Sequence, residues 1–96
     1  MKKKKSIEIE NIFISKYKPT ECEIEWVTDP PNDNSNFLIY SFTTNINYRS
    51  RYNITIPTTI KRLRFTGLKP HAQCEFKIKG KDGGAEKSLR FVTPNF

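Results

Sequence analysis

Few residues of this chain belong to the types that perform catalysis or bind metal ions. There are two cysteines, Cys22 and Cys74, and a single histidine, His71, which follows a proline in a predicted turn. One histidine and two distant cysteines do not make a tetrahedral zinc site, and no cysteine–histidine pair is set up for nucleophilic attack. The sequence therefore predicts neither a metal centre nor a catalytic nucleophile.

The densest carboxylates are Glu21, Glu23 and Glu25, which alternate with apolar residues. Residues two apart on a strand lie about 7 Å from each other on one face. Arg62 and Arg64 alternate in the same way in a later segment, and opposite charges on neighbouring strands contribute roughly 0.2–1 kcal/mol each. We therefore interpret this stripe as structural rather than as a general acid and base.

The glycine-rich segment 80–84 lacks the rest of a phosphate-binding loop, so it is interpreted as a hairpin turn in which glycine supplies positive φ. No cofactor motif is present. We therefore expect no cofactor and no enzymatic activity.

The elements that position these residues are predicted to be strands. In 21–26 and 74–79, apolar and charged residues alternate with the period of two that is typical of a strand with one buried face. Further strands are predicted at 7–14, 37–43, 48–56, 60–65 and 89–93. Seven short strands separated by Pro, Gly, Asn and Asp predict an all-β fold, an antiparallel β-sandwich. The alternation of the first strand slips near Asn11, which predicts a bulge or a kink.

The 96 residues suit one domain, and 17 Lys and Arg against 10 Asp and Glu give a net charge of +7. This excess favours an acidic partner such as nucleic acid, an anionic surface or an acidic protein, or it is simply a solvated surface. We expect a disordered basic tail at 1–6, a folded domain at 7–94 and a short end at 95–96.

No segment approaches the roughly 20 apolar residues that a membrane span needs. The lysines of the tail are followed by a segment that contains two glutamates, unlike the apolar region of a signal peptide. The localisation stays open: intracellular if Met1 is the native start, extracellular if the chain is an excised domain.

Several motifs together resemble a fibronectin type III domain. They are a tryptophan in the second strand, an aromatic-rich third strand, the corner G-L-K-P at 67–70, the alternating C-x-F-x-I at 74–78 and the exit F-V-T-P at 91–94. The resemblance covers about 7–94 and implies a seven-stranded Greek-key sandwich. The core residues that it implies are Trp26, Tyr40, Leu68, Phe76 and Ile78.

One departure from the family concerns Cys74. The family usually has a tyrosine at this position, and its hydroxyl closes the corner. That hydrogen bond must be missing or replaced here.

The topology of the family would place the strands of Cys22 and Cys74 in opposite sheets, with both side chains in the core. A disulfide between them is therefore conceivable. It would close a loop of about 50 residues and stabilise the folded state by roughly 3–4 kcal/mol in the chain-entropy model. The alternative is two buried free thiols, because cysteine is a common core residue. The disulfide would imply an oxidising compartment.

The same topology sorts the charges by sheet. The three-stranded sheet would be nearly balanced, whereas the four-stranded sheet would present an excess of cations opposed by Glu75 alone. The candidate binding residues on this second sheet are Arg49, Arg51, Lys77, Lys79 and Arg90.

The resemblance implies a non-catalytic interaction or spacer module of a larger protein, which binds a protein partner of unknown identity through this face or through loops. The first alternative is binding of nucleic acid or another anionic surface, which is less favoured because the aromatic residues needed for stacking mostly point inward. The second is a receptor or adhesion ectodomain module, for which the triplet starting at Asn53 is an N-glycosylation sequon.

Overall fold

The computed structural model describes residues 7–29, 36–44 and 54–96, and the regular structure in these ranges consists of seven strands. They are β1 (Glu8–Tyr17), β2 (Cys22–Asp29), β3 (Phe37–Thr43), β4 (Ile54–Pro57), β5 (Arg62–Phe65), β6 (Gln73–Gly80) and β7 (Gly83–Val92). No helix among the described residues is long and apolar enough to cross a membrane. The all-β class is confirmed.

The strands form two sheets, and in both sheets each pair of hydrogen-bonded strands is antiparallel. The first sheet has the order β1-β2-β5 and the second has the order β4-β3-β6-β7. This is the seven-stranded β-sandwich, with the partition between sheets, that the sequence predicts. Sequential strands such as β2 and β3 lie in different sheets, so the chain crosses between layers as it folds.

The number of strands agrees with the prediction, but several strand ends do not. β1 runs to Tyr17, past the predicted end at residue 14, and a second register shift lies between Ile14 and Lys16. β7 begins at Gly83 rather than at 89, because the tight hairpin pairs Gly80 with Gly83 and the ladder continues from there. Only the end of the strand predicted at 48–56 lies within the described residues.

The bulge predicted at Asn11 is confirmed. Ile9 pairs with Thr28, whereas Asn11 already pairs with Val27, so one extra residue sits in β1. The Asn11 side chain accepts a hydrogen bond from the Ile12 backbone N–H at 2.9 Å. The shift in phase allows isoleucines on both sides of the bulge to pack against the core.

One apolar core fills the space between the sheets. Its buried members are Ile7, Ile9, Cys22, Ile24, Trp26, Leu38, Leu68, Phe76 and Ile78. Phe76 lies at its centre, stacked on Trp26 with ring centroids 5.8 Å apart and tilted against Tyr40 at 5.7 Å. Tyr40 is only partly buried and packs against this cluster. Full burial of one such side chain contributes roughly 1.5–3 kcal/mol.

The corner that leads into β6 is closed by the hydroxyl of Thr93, which is 1% exposed. This hydroxyl donates a hydrogen bond to the Lys69 carbonyl at 2.6 Å and accepts one from the Ala72 N–H at 2.7 Å. The backbone N–H of Thr93 also donates to the Ala72 carbonyl. The thiol of Cys74 contributes only a weak contact of 3.6 Å to the same carbonyl. The hydroxyl of Thr93, directly after the end of β7, therefore takes the place of the missing tyrosine hydroxyl.

Two residues with positive φ give the corner its shape, Gly67 at 71° and His71 at 57°. Glycine reaches this region freely, whereas other residues pay roughly 1–2 kcal/mol. The His71 N–H donates to the Thr93 carbonyl at 3.0 Å, and the Leu68 N–H donates to the Thr20 carbonyl at 2.9 Å. His71 is thus a turn residue, and the corner is tied to both sheets.

Thr93→Val should lower the free energy of unfolding by about 2–4 kcal/mol, because an isosteric side chain without a hydroxyl leaves two corner groups of the backbone unsatisfied. Urea unfolding followed by the fluorescence of Trp26 measures this change. Thr93→Ser is the matched control, since it keeps the hydroxyl and loses only about 1 kcal/mol for the methyl group. An equal loss in both variants would show that packing, not hydrogen bonding, closes the corner.

Candidate interaction face

The candidate binding residues of β6 and β7 lie on the outer face of the second sheet. Lys77 and Lys79 alternate with the buried residues of β6, and Arg90 lies on the same side of β7. The register places Lys77 opposite Ser88 and Lys79 opposite Ile39. The other two candidates, at 49 and 51, lie outside the described residues.

One end of this face has a carboxylate, Glu75, which is directly opposite Arg90 in the register. Arg90 Nε donates to Glu75 Oε2 at 2.5 Å, and Lys77 Nζ lies 3.8 Å from Glu75 Oε1. The side chain of Glu75 is only 10% exposed, against 42% for Lys77 and 69% for Arg90. The carboxylate therefore accepts a hydrogen bond from Arg90, lies within ion-pair distance of Lys77 and leaves both cations accessible to solvent.

From the sequence, Glu75 is recognisable only as an opposing charge and not as the common partner of Lys77 and Arg90. Its spacing to Lys77 on one side of a strand was a visible signal. The pairing with Arg90 depends on the register between β6 and β7, which no local pattern reveals.

The face continues to an exposed aromatic residue at its other end. Lys81 Nζ lies 5.8 Å from the ring centroid of Phe37, within the range of a cation–π contact. The Lys81 N–H donates to the Phe37 carbonyl at 2.9 Å, and Phe37 is 48% exposed. Sequence reasoning missed this pair, although the alternation of β3 already places Phe37 on the side opposite the buried Leu38. We use the term basic face for Lys77, Lys79, Lys81 and Arg90.

The outer face of the first sheet is different, because its cations are matched by carboxylates. The register places Glu23 opposite Arg64 and Glu25 opposite Arg62, which confirms the predicted neighbourhood of β2 and β5. The ion pair that forms is diagonal, from Arg64 Nη2 to Glu21 Oε2 at 3.3 Å. This sheet provides a charge-balanced reference surface on the same molecule.

The two cysteines lie in the core, one from each sheet, and both are free and fully buried. Cys22 pairs with Tyr17 in β1 and with Phe65 in β5, while Cys74 pairs with Phe91 in β7. Burial raises the pKa of Cys22 to about 11, and the charge of Cys74 adds to this rise. Burial also raises the pKa of Cys74. Both thiols are therefore protonated near neutral pH.

Solved structures with a similar arrangement of strands are β-sandwich proteins. A computationally redesigned β-sandwich protein superposes with a TM-score of 0.74 at 20% identity over 93% of this chain and 96% of its own. The FN1–FN3 domains of chicken contactin 1 give 0.65 at 10% identity over 92% of this chain, which spans 30% of theirs. An fn3 domain of human contactin 1 gives 0.63 at 10% identity over 92% and 77%.

No family model and no curated protein sequence matches the chain. At these identities the likeness concerns the fold, and the chain has a fibronectin type III-like fold.

The buried thiols predict that stability falls in alkaline solution. The unfolded chain deprotonates Cys22 from about pH 9, whereas the folded chain holds the proton to about pH 11. The contribution of the protonated Cys22 thiol to the free energy of unfolding is therefore complete below pH 9. It is lost as the pH rises to 11, at up to about 1.4 kcal/mol per pH unit. Urea midpoints measured in reductant between about pH 8 and pH 10.5 test this.

The double variant Cys22→Ala/Cys74→Ala is the control and should show a flatter dependence in this window. Burial also raises the pKa of Tyr40, so part of the alkaline loss remains in the variant. A wild-type midpoint that stays constant throughout the window would contradict the prediction.

Proposed function

We propose that this domain is a non-catalytic interaction or spacer module of a larger protein, and that it binds an acidic protein segment through the basic face. The observation that carries the proposal is the arrangement around Glu75, where one nearly buried carboxylate accepts a hydrogen bond from Arg90 and lies 3.8 Å from Lys77 Nζ, while both cations stay accessible to solvent. The fold supports the modular role, since the similar contactin structures include one that spans several FN domains.

The geometry favours recognition of carboxylates. Arg90 uses Nε for Glu75, and its guanidinium carries further N–H donors on a side chain that is 69% exposed. A side chain that is already held loses less conformational entropy when a partner binds. Lys77 and Lys79 are two residues apart on β6, a separation of about 7 Å, and Arg90 lies diagonally across from Lys77 on β7. An extended acidic segment presents carboxylates at similar intervals.

Binding of single-stranded nucleic acid is the second candidate, and the exposed pair of Phe37 and Lys81 favours it. A base can stack on an exposed aromatic ring while a neighbouring cation contacts the phosphate. The proposal of an acidic protein segment is preferred because only this one aromatic–cation pair lies on the described part of the face. The ectodomain alternative depends on Asn53, which lies outside the described residues.

The triple variant Lys77→Gln/Lys79→Gln/Lys81→Gln should weaken binding of a glutamate-rich peptide roughly 10-fold or more at low salt, because the face loses most of its cations. Fluorescence anisotropy of a labelled peptide measures this loss, and added salt should weaken the wild-type interaction. A labelled single-stranded oligonucleotide of equal charge is titrated in parallel.

The matched control is Lys16→Gln/Lys18→Gln/Lys69→Gln, which removes the same charge at exposed positions away from the basic face. It should weaken peptide binding much less than the triple variant does. Equal losses in the two variants, or no peptide binding at low salt, would overturn the proposed face. Tighter binding of the oligonucleotide than of the peptide would favour the second candidate instead.

A further inference from the structure

The first sheet and the second sheet are in side-chain contact beside the two cysteines. Tyr17, the partner of Cys22 in β1, packs edge-to-face on Phe91, the partner of Cys74 in β7, with ring centroids 6.3 Å apart. The Tyr17 hydroxyl also donates a hydrogen bond to the Val92 carbonyl. Two cross-strand pairs and one aromatic contact thus join the two cysteines through a continuous set of neighbours.

We propose that Cys22 and Cys74 are an intersheet redox pair, which forms a disulfide when the chain folds in the presence of a disulfide oxidant and stays reduced otherwise. Cys22 is the first residue of β2, Cys74 is the second residue of β6, and both are fully buried. The bond would join β2 to β6 across the core, between two sheets that share no backbone pairing.

The reaction balances with oxidised glutathione as the oxidant. One cysteine thiolate attacks the glutathione disulfide, forms a mixed disulfide and releases one glutathione thiolate. The second cysteine thiolate attacks the protein sulfur of the mixed disulfide and releases the second glutathione. The two cysteines lose two electrons and two protons in total, and the two glutathione molecules carry them as thiols.

The native structure determines when this reaction takes place. The thiolate is the attacking species, and burial keeps both thiols protonated and out of reach of an oxidant. The bond therefore forms during folding or while this end of the sandwich is open, not in the closed domain. A chain that folds in a reducing compartment keeps free thiols. The presence of the bond therefore indicates that the chain folded in an oxidising compartment.

The disulfide also imposes a geometric condition. Bridged cysteines have Cα atoms about 4.4–6.8 Å apart, whereas packed sheets usually lie about 10 Å apart. Closure therefore requires the sheets to approach locally, at an end where β1 already contacts β7. A loop of about 50 residues is then fixed in the unfolded chain, which lowers the unfolding equilibrium constant roughly 100- to 1,000-fold.

Refolding in two redox conditions tests the proposal without any substitution. The reduced domain is unfolded in denaturant and refolded either in reductant or in a mixture of oxidised and reduced glutathione. We expect the second arm to yield a monomer that is lighter by two hydrogens, with peptides containing Cys22 and Cys74 linked. Its denaturation midpoint should exceed that of the reduced form.

The folded reduced domain, exposed to the same glutathione mixture without denaturant, should acquire the bond much more slowly. Cys22→Ala and Cys74→Ala should each abolish the difference between the two arms. Glutathione adducts, intermolecular dimers or an internal disulfide that lowers the midpoint would overturn the proposal. So would oxidation of the folded domain as fast as of the unfolded chain. The wild-type comparison decides the question even if either variant fails to fold.

Discussion

The hydroxyl of Thr93 holds the end of β7 against the corner that precedes β6. Its two hydrogen bonds, together with the backbone bonds of the same residue, fix where β6 begins relative to where β7 ends. Because side chains on a strand alternate between faces, a shift of one residue at this point would exchange the buried and exposed sides of either strand. In the observed register Phe76 faces the core.

The same register creates the charge arrangement on the outer face. Glu75 and Arg90 are directly opposite each other, so the carboxylate meets one cation across the sheet and Lys77 along its own strand. A net positive domain thereby carries an ordered row of cations on one sheet and balanced charges on the other. The register between β6 and β7 therefore determines which side chains of these two strands face the core and which charges meet on the outer face.

Alternation of residue types predicted which side chains face the core, and it also predicted the bulge at Asn11. It failed at the strand ends, because 83–88 contains polar and small residues that do not alternate. Those residues pair because the Gly80–Gly83 hairpin starts the ladder and because an edge strand tolerates exposure on both faces. The partner of Glu75 and the role of Thr93 depend on contacts distant in sequence, so local patterns could not reveal them.

The replacement at position 74 connects the corner to the redox chemistry. A tyrosine there would supply the hydroxyl of the corner. With Thr93 providing the hydroxyl, position 74 carries a small buried thiol whose contact with the corner is only the weak one to the Ala72 carbonyl. The thiol can then take part in a cross-link with Cys22 while the corner stays closed. Closure of the corner and cross-linking of the sheets are therefore separate functions of separate residues.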